Sequence, residues 1–212
     1  MITTTLVCIL GVLLIVVLMN LFKKQPAPAA APAGPREDLA NLKPSDARAG
    51  DSISISGAGD GMTDLDFTAD RATWYEAGSH RWFEVSGPYR ERRVAMRVHD
   101  EEEMEVAVHN DARKITLEDT GLSEEDLATM DERQNTADDF EYDNRMWMYR
   151  ISREVQATRT GYPQPEGFYY WEFRQQDGPG ILTIRKAASE PFAVTLYAVV
   201  PAGDVTVYRG GR

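Results

Sequence analysis

Cysteine is almost absent from this chain. The one cysteine, Cys8, excludes a disulfide within the chain, which suits a reducing compartment. Cys8 lies inside an apolar run that mostly follows it, with no basic segment in front. That order is unlike a lipoprotein signal. Histidine is scarce too: His80, His99 and His109 are the only three. No Ser-His-Asp context, phosphate loop or zinc-ligand spacing occurs, so the familiar catalytic motifs are missing. Positive charge is also short. Beyond Lys24 the 34 acidic side chains face all but two of the 23 basic ones, a balance of −13. Such a body repels a phosphate backbone, so nucleic acid is not an expected partner.

The first 22 residues carry no charge at all. The run LVCILGVLLIVVLMNLF, Leu6–Phe22, spans roughly 26 Å as a helix, and about 31 Å counted from Ile2, enough to cross a bilayer core. A retained transmembrane anchor is expected over residues 1–24, meeting the lipid through residues 5–22. A cleaved signal peptide fits less well, because Lys23 and Lys24 separate the small residues of QPAPAAAPA from the apolar stretch. These two lysines flank only the C-terminal end, which orients the chain N-out and C-in. The expected location is a bacterial inner membrane, single-pass, with the large domain in the cytoplasm. Residues 25–50 hold Pro26, Pro28, Pro32 and Pro35 among alanines and read as a flexible tether. It reaches at most ~80 Å as a rod and roughly 28 Å as a coil.

Residues 51–212 read as one β-rich domain. Ile53 and Ile55 of SISISG share one strand face. HRWFEVSG ends in the turn signal Gly87-Pro88. RRVAMRVHDEEEMEVAVHN reads as two strands joined at 100–103, with Val94, Met96 and Val98 inward, then Met104, Val106 and Val108. Further short alternating runs follow to VTVYRG. The pattern predicts an antiparallel sandwich or barrel-like sheet. One helix is expected at about 123–133, with Ser123 as N-cap and Asp126 three residues on. The acidic stretch Asn135–Asn144 reads as a loop.

The body also echoes itself. Gly50-Asp51 and Gly203-Asp204 each open an alternating run, and an aromatic-x-Glu step recurs at Trp74/Glu76, Trp82/Glu84 and Tyr170/Glu172. Two related halves, roughly 51–118 and 145–208, would account for this. These same features, with the aromatic run Phe168–Phe173, resemble the bacterial domain of unknown function 4178 family over about residues 45–210. The departure is that Glu172 follows Trp171 as well as Tyr170. The resemblance implies a β fold and a membrane-associated setting, and transfers no catalytic residues.

The aromatic-x-Glu steps are the candidate binding residues: Trp82, Glu84, Tyr170, Trp171 and Glu172. Each step places a ring beside a carboxylate on one strand face. Burial there could raise a glutamate pKa for general-acid work. Alternatively the carboxylates pair with Arg81, Arg92, Arg97 or Arg174. A metal site from His99, His109 and Asp100–Glu103 is not expected: pairing 99 with 104 and 94 with 109 separates the histidines by roughly 17 Å. Neither a metal nor another cofactor is expected. The leading reading is a membrane-tethered, non-catalytic adaptor contacting a membrane protein through an exposed face with Trp82, Tyr170 and Trp171. A hydrolase built on paired glutamates and a structural subunit of a membrane assembly remain as alternatives.

Overall fold

A computed structural model describes residues 42–211. The expected anchor, its flanking Lys23 and Lys24, and residues 25–41 of the expected tether lie outside the described residues. Among the described residues no helix is long and apolar enough to cross a membrane. Residues 42–50, the end of that expected tether, lie against the body, with Pro44 and Ala47 buried. Asp51 ties this start to the far end of the chain. Its carboxylate accepts the Arg48 N–H at 2.9 Å, an Arg209 guanidinium N–H at 2.7 Å and the Gly210 N–H at 3.1 Å.

The body is mainly β, as the alternation predicts, and its large sheet closes into an antiparallel barrel. Four strands form one meander: β3 (Arg71–Ala77), β4 (His80–Tyr89), β5 (Arg92–Asp100) and β6 (Met104–His109). Four more form a second: β8 (Arg145–Arg159), β9 (Tyr162–Gln175), β10 (Gly180–Lys186) and β11 (Ala193–Val200). Pairing of β6 with β11 and of β3 with β8 closes the eight strands. Closure removes the free edges that would otherwise invite aggregation. β7 (Asp139–Tyr142) extends the sheet beside β8. A separate three-stranded sheet holds β1 (Ser52–Ile55) between β2 (Leu65–Thr68) and β12 (Val205–Tyr208).

Alternation gives each barrel strand an inner and an outer face. Much of the apolar core lies outside the barrel. Ile53, Ile55, Leu65, Phe67 and Val207 of the small sheet cover Val85, Val94, Met96, Val98, Val106 and Val108 on β4–β6. Ile53 and Ile55 are 1% and 0% exposed, each contributing roughly 1.5–3 kcal/mol by burial. On the other flank, helix α1 (Glu124–Arg133) lays Leu127 over a patch containing Trp171, Phe173, Leu182 and Ile184. The Ser123–Asp126 capping box forms as expected, each side chain bonding the other's backbone N–H.

Two local expectations fail. Gly87-Pro88 is no turn: β4 runs straight through it, pairing Gly87 with Val94 and Pro88 with Arg93. The chain reverses later, at Arg90, whose φ is +52°. Pro88 is tolerated because β3 pairs β4 only up to Ser86, so no ladder on that side needs its N–H. Asn135–Asn144 is not all loop either. Phe140 and Tyr142 alternate with acids to make β7, and Asp143-Asn144, both near φ +55°, turn the hairpin into β8.

Candidate functional site

The inner face of the barrel is unusually polar. Arg97 on β5, Arg174 on β9 and Arg185 on β10 share it with Glu84 on β4, Glu105 on β6 and Glu172 on β9. Arg97 donates from Nη2 to Glu172 Oε2 at 2.8 Å and from Nη1 to the Tyr170 hydroxyl at 2.8 Å. Tyr170 in turn donates to Glu172 at 2.7 Å. Arg174 donates from Nε to Glu172 Oε1 at 2.9 Å and makes a bidentate pair with Glu105 at 2.6 and 2.9 Å. This chain of charges spans strands of both meanders. Further along, the Tyr197 hydroxyl on β11 donates to Glu84 at 2.7 Å, and Arg185 donates to the Tyr75 hydroxyl at 3.4 Å.

These contacts set the protonation states. Burial works to raise the Glu172 pKa, but the charges of Arg97 and Arg174 and the bond from Tyr170 outweigh it, bringing it down to about 2. Glu172 is therefore ionised at neutral pH. Burial pushes the Tyr170 and Tyr197 phenols well above their usual value, against the opposing charges of Arg97 and Arg185 respectively, so both remain donors.

The barrel opens at the end carrying the β3–β4 and β5–β6 turns. The pocket there is about 280 Å³ and lies between Trp82, Tyr170 and Ile151. Arg97, Arg150, Arg153 and Arg174 line it against the single carboxylate of Glu172. The Arg97 guanidinium lies 5.1 Å from the Trp82 ring centre, and Trp82 and Tyr170 sit 5.5 Å apart. Arg150 occupies the β8 bulge between Tyr149 and Ile151. Arg153 donates to the Ala77 carbonyl at 3.2 Å. Neither Arg150 nor Arg153 forms an ion pair among the described residues. A larger depression of about 770 Å³ opens beside Asp60 and Arg113, but Arg92 already pairs with Asp60, and Arg113 with Asp111 at 2.7 Å.

No family model, curated protein or solved structure matches this chain.

The structure divides the five candidate residues by strand parity. Trp82, Tyr170 and Glu172 meet at the barrel mouth, and Glu84 lies deeper inside. Trp171, one residue from Tyr170, points outward and donates its indole N–H to the Leu127 carbonyl at 3.2 Å. The expected exposed aromatic face therefore does not form. Tyr170 and Trp171 are 5% and 7% exposed, on opposite sides of one strand. The third step, Trp74/Glu76, faces away from the lumen, where Glu76 pairs with Arg81 at 3.3 Å. Sequence reasoning missed Arg150 and Arg153, which line the pocket at and just beyond the bulge in β8.

His109 lies far from His99 along β5–β6, opposite Ala95, as expected from the hairpin, although the register is one residue off: His99 faces Glu105. The neighbour of His99 is instead His80, distant in sequence. It begins β4, beside β5, and lines the same pocket as His99. One nitrogen from each of these rings and one oxygen of Glu101 all lie within 4.8 Å of one another.

Proposed function

We propose that this chain is a non-catalytic binding domain, held at the cytoplasmic face of a bacterial inner membrane through residues 5–22. Its barrel-end pocket grips a carboxylate-bearing segment of a protein partner in or at that membrane. One observation carries the reading. A chain of net charge −11 gathers four arginines and one glutamate around a single pocket, and two of those arginines lack an acidic partner among the described residues. Trp82 and Tyr170 supply the apolar wall that a bound side chain needs. Charge focused in a walled recess attracts an opposite charge more strongly than the same charge on open surface. Tethering raises the local concentration for partners in the same membrane.

The paired-glutamate hydrolase is the weaker reading. Glu172 is saturated by Arg97, Arg174 and Tyr170 and stays ionised, so it has no proton to give at neutral pH.

Calorimetric titration of the full-length protein with a short Glu-rich peptide and its Gln counterpart tests the pocket. Only the acidic peptide should bind, and R150A and R153A should each weaken it by about tenfold, roughly 1.4 kcal/mol. Equal binding of both peptides, or indifference to both substitutions, removes the reading. Crosslinking in native membranes then identifies the partner. A reporter fused after Arg212 should be active only in the cytoplasm.

A further inference from the structure

We infer that His80, His99 and Glu101 form a binding site for one divalent transition-metal ion, zinc being the best fit. His80 stands at the start of β4, His99 near the end of β5 and Glu101 in the turn to β6, so two adjacent hairpins bring the three together. Glu101 Oε1 lies 3.4 Å from His80 Nδ1 and 3.3 Å from His99 Nε2. Ligands held about 2.1 Å from a tetrahedral zinc are about 3.4 Å apart, so two sides of the coordination triangle already have the right length. The third side is no longer than 4.8 Å. The His80 side chain is 47% exposed and has room to rotate and shorten it.

The protein-only contacts leave this cluster unsatisfied. His99 Nε2 is shut off from solvent and makes no hydrogen bond; Glu101 is close but not aligned for one. A buried ring nitrogen whose one polar neighbour is a misaligned carboxylate is uncommon, and a bound cation between the two would account for it. The Arg81 backbone N–H donates at 3.3 Å to this same Glu101 Oε1, which fixes the oxygen beside the two rings and leaves it a further lone pair for a metal. Two imidazoles and one carboxylate suit zinc, whereas calcium and magnesium take oxygen ligands. Three protein ligands leave a fourth position, and both histidines line the barrel-end pocket, so that position opens toward it. The inference needs only these three side chains and stands apart from the carboxylate-binding reading.

The test uses full-length protein stripped with a chelator and titrated with zinc alone, followed by calorimetry. One equivalent should bind. Cobalt in place of zinc should give the visible absorption of a tetrahedral site. H80A and E101Q should each weaken zinc at least about 100-fold, since loss of mere outer-shell partners already costs 10–100-fold. E103Q, an exposed acid in the same turn, should change nothing. Circular dichroism of the metal-free variants separates a lost ligand from a lost fold. His80 is half exposed, so H80A should fold even if another variant does not. No zinc binding by the wild type, or binding that survives both H80A and E101Q, overturns the inference and leaves a simple histidine–carboxylate ion pair.

Discussion

Arg97 Nη2 and Glu172 Oε2 meet 2.8 Å apart inside the barrel, both side chains 8% exposed. They join β5 to β9, strands of different meanders. Removing one member leaves the other charged and buried. R97A and E172A should therefore each cost roughly 3–5 kcal/mol in urea unfolding. The double variant R97M/E172L should cost less than either, because no charge is stranded. A double variant as unstable as the sum of the singles would show that the two residues act independently.

The same pair makes the barrel sensitive to acid. Glu172 is held ionised in the fold, with its pKa lowered from 4.5 to about 2. Its contribution is present in full above pH 4.5 and is lost as pH falls through the window toward 2. Urea midpoints of the wild type and E172Q, measured between pH 7 and pH 2, should converge as the pH drops through that window. A gap that stays constant would mean that Glu172 does not titrate there.

Outside the barrel, Asp131 fastens α1 to β8 and β9. Its Oδ1 accepts from the Tyr169 hydroxyl at 2.6 Å, from Gln134 Nε2 at 3.1 Å and from Ser152 Oγ. Tyr149 and Ser152 share a further hydroxyl contact at 2.6 Å. Burial and the bond to Asp131 push the Tyr169 phenol up to about 12, so it keeps its donor proton. D131A leaves these hydroxyls without their acceptor and should cost roughly 1–3 kcal/mol. Hydrogen exchange should speed up in residues 124–133 while the barrel strands stay protected. Unchanged exchange in the helix would show that its apolar packing and the Trp171 bond hold it without Asp131.

Local chemistry explains which parts of this fold can be read from the sequence. Strand alternation is written directly in the residues, so Ile53 and Ile55, the Val94–Met96–Val98 face and the capped helix all appear where expected. The paired steps Trp82/Glu84 and Tyr170/Glu172 fall on the second strand of each meander and both face the lumen. Closure of the barrel depends on β3 meeting β8 and β6 meeting β11, contacts far apart in sequence with no local signature. Without closure, an inner face cannot be told from a solvated one. Alternation alone separates Trp171 from Tyr170, but which of the two faces the lumen depends on closure; the His80–His99–Glu101 cluster has no local signature because its members belong to different hairpins.

Gly87 shows how one such long-range contact constrains a single residue. It sits inside β4, two residues from the strand's end, where a glycine normally weakens a strand. A Cβ built there would lie 2.1 Å from the Thr68 carbonyl oxygen and 3.0 Å from the Phe67 ring, at the end of β2. The obstacle is backbone, so it cannot swing aside. G87A must push β2 off the barrel and disturb the apolar layer containing Phe67, Val85 and Val94. The expected cost is at the upper end of overpacking, about 3 kcal/mol. Gly203 has nothing within 4 Å of its added Cβ and an ordinary φ, so G203A should fall within about 0.5 kcal/mol of the wild type. Thermal melts of the two variants decide the matter. Equal midpoints would mean that β2 does not press on β4 at Gly87.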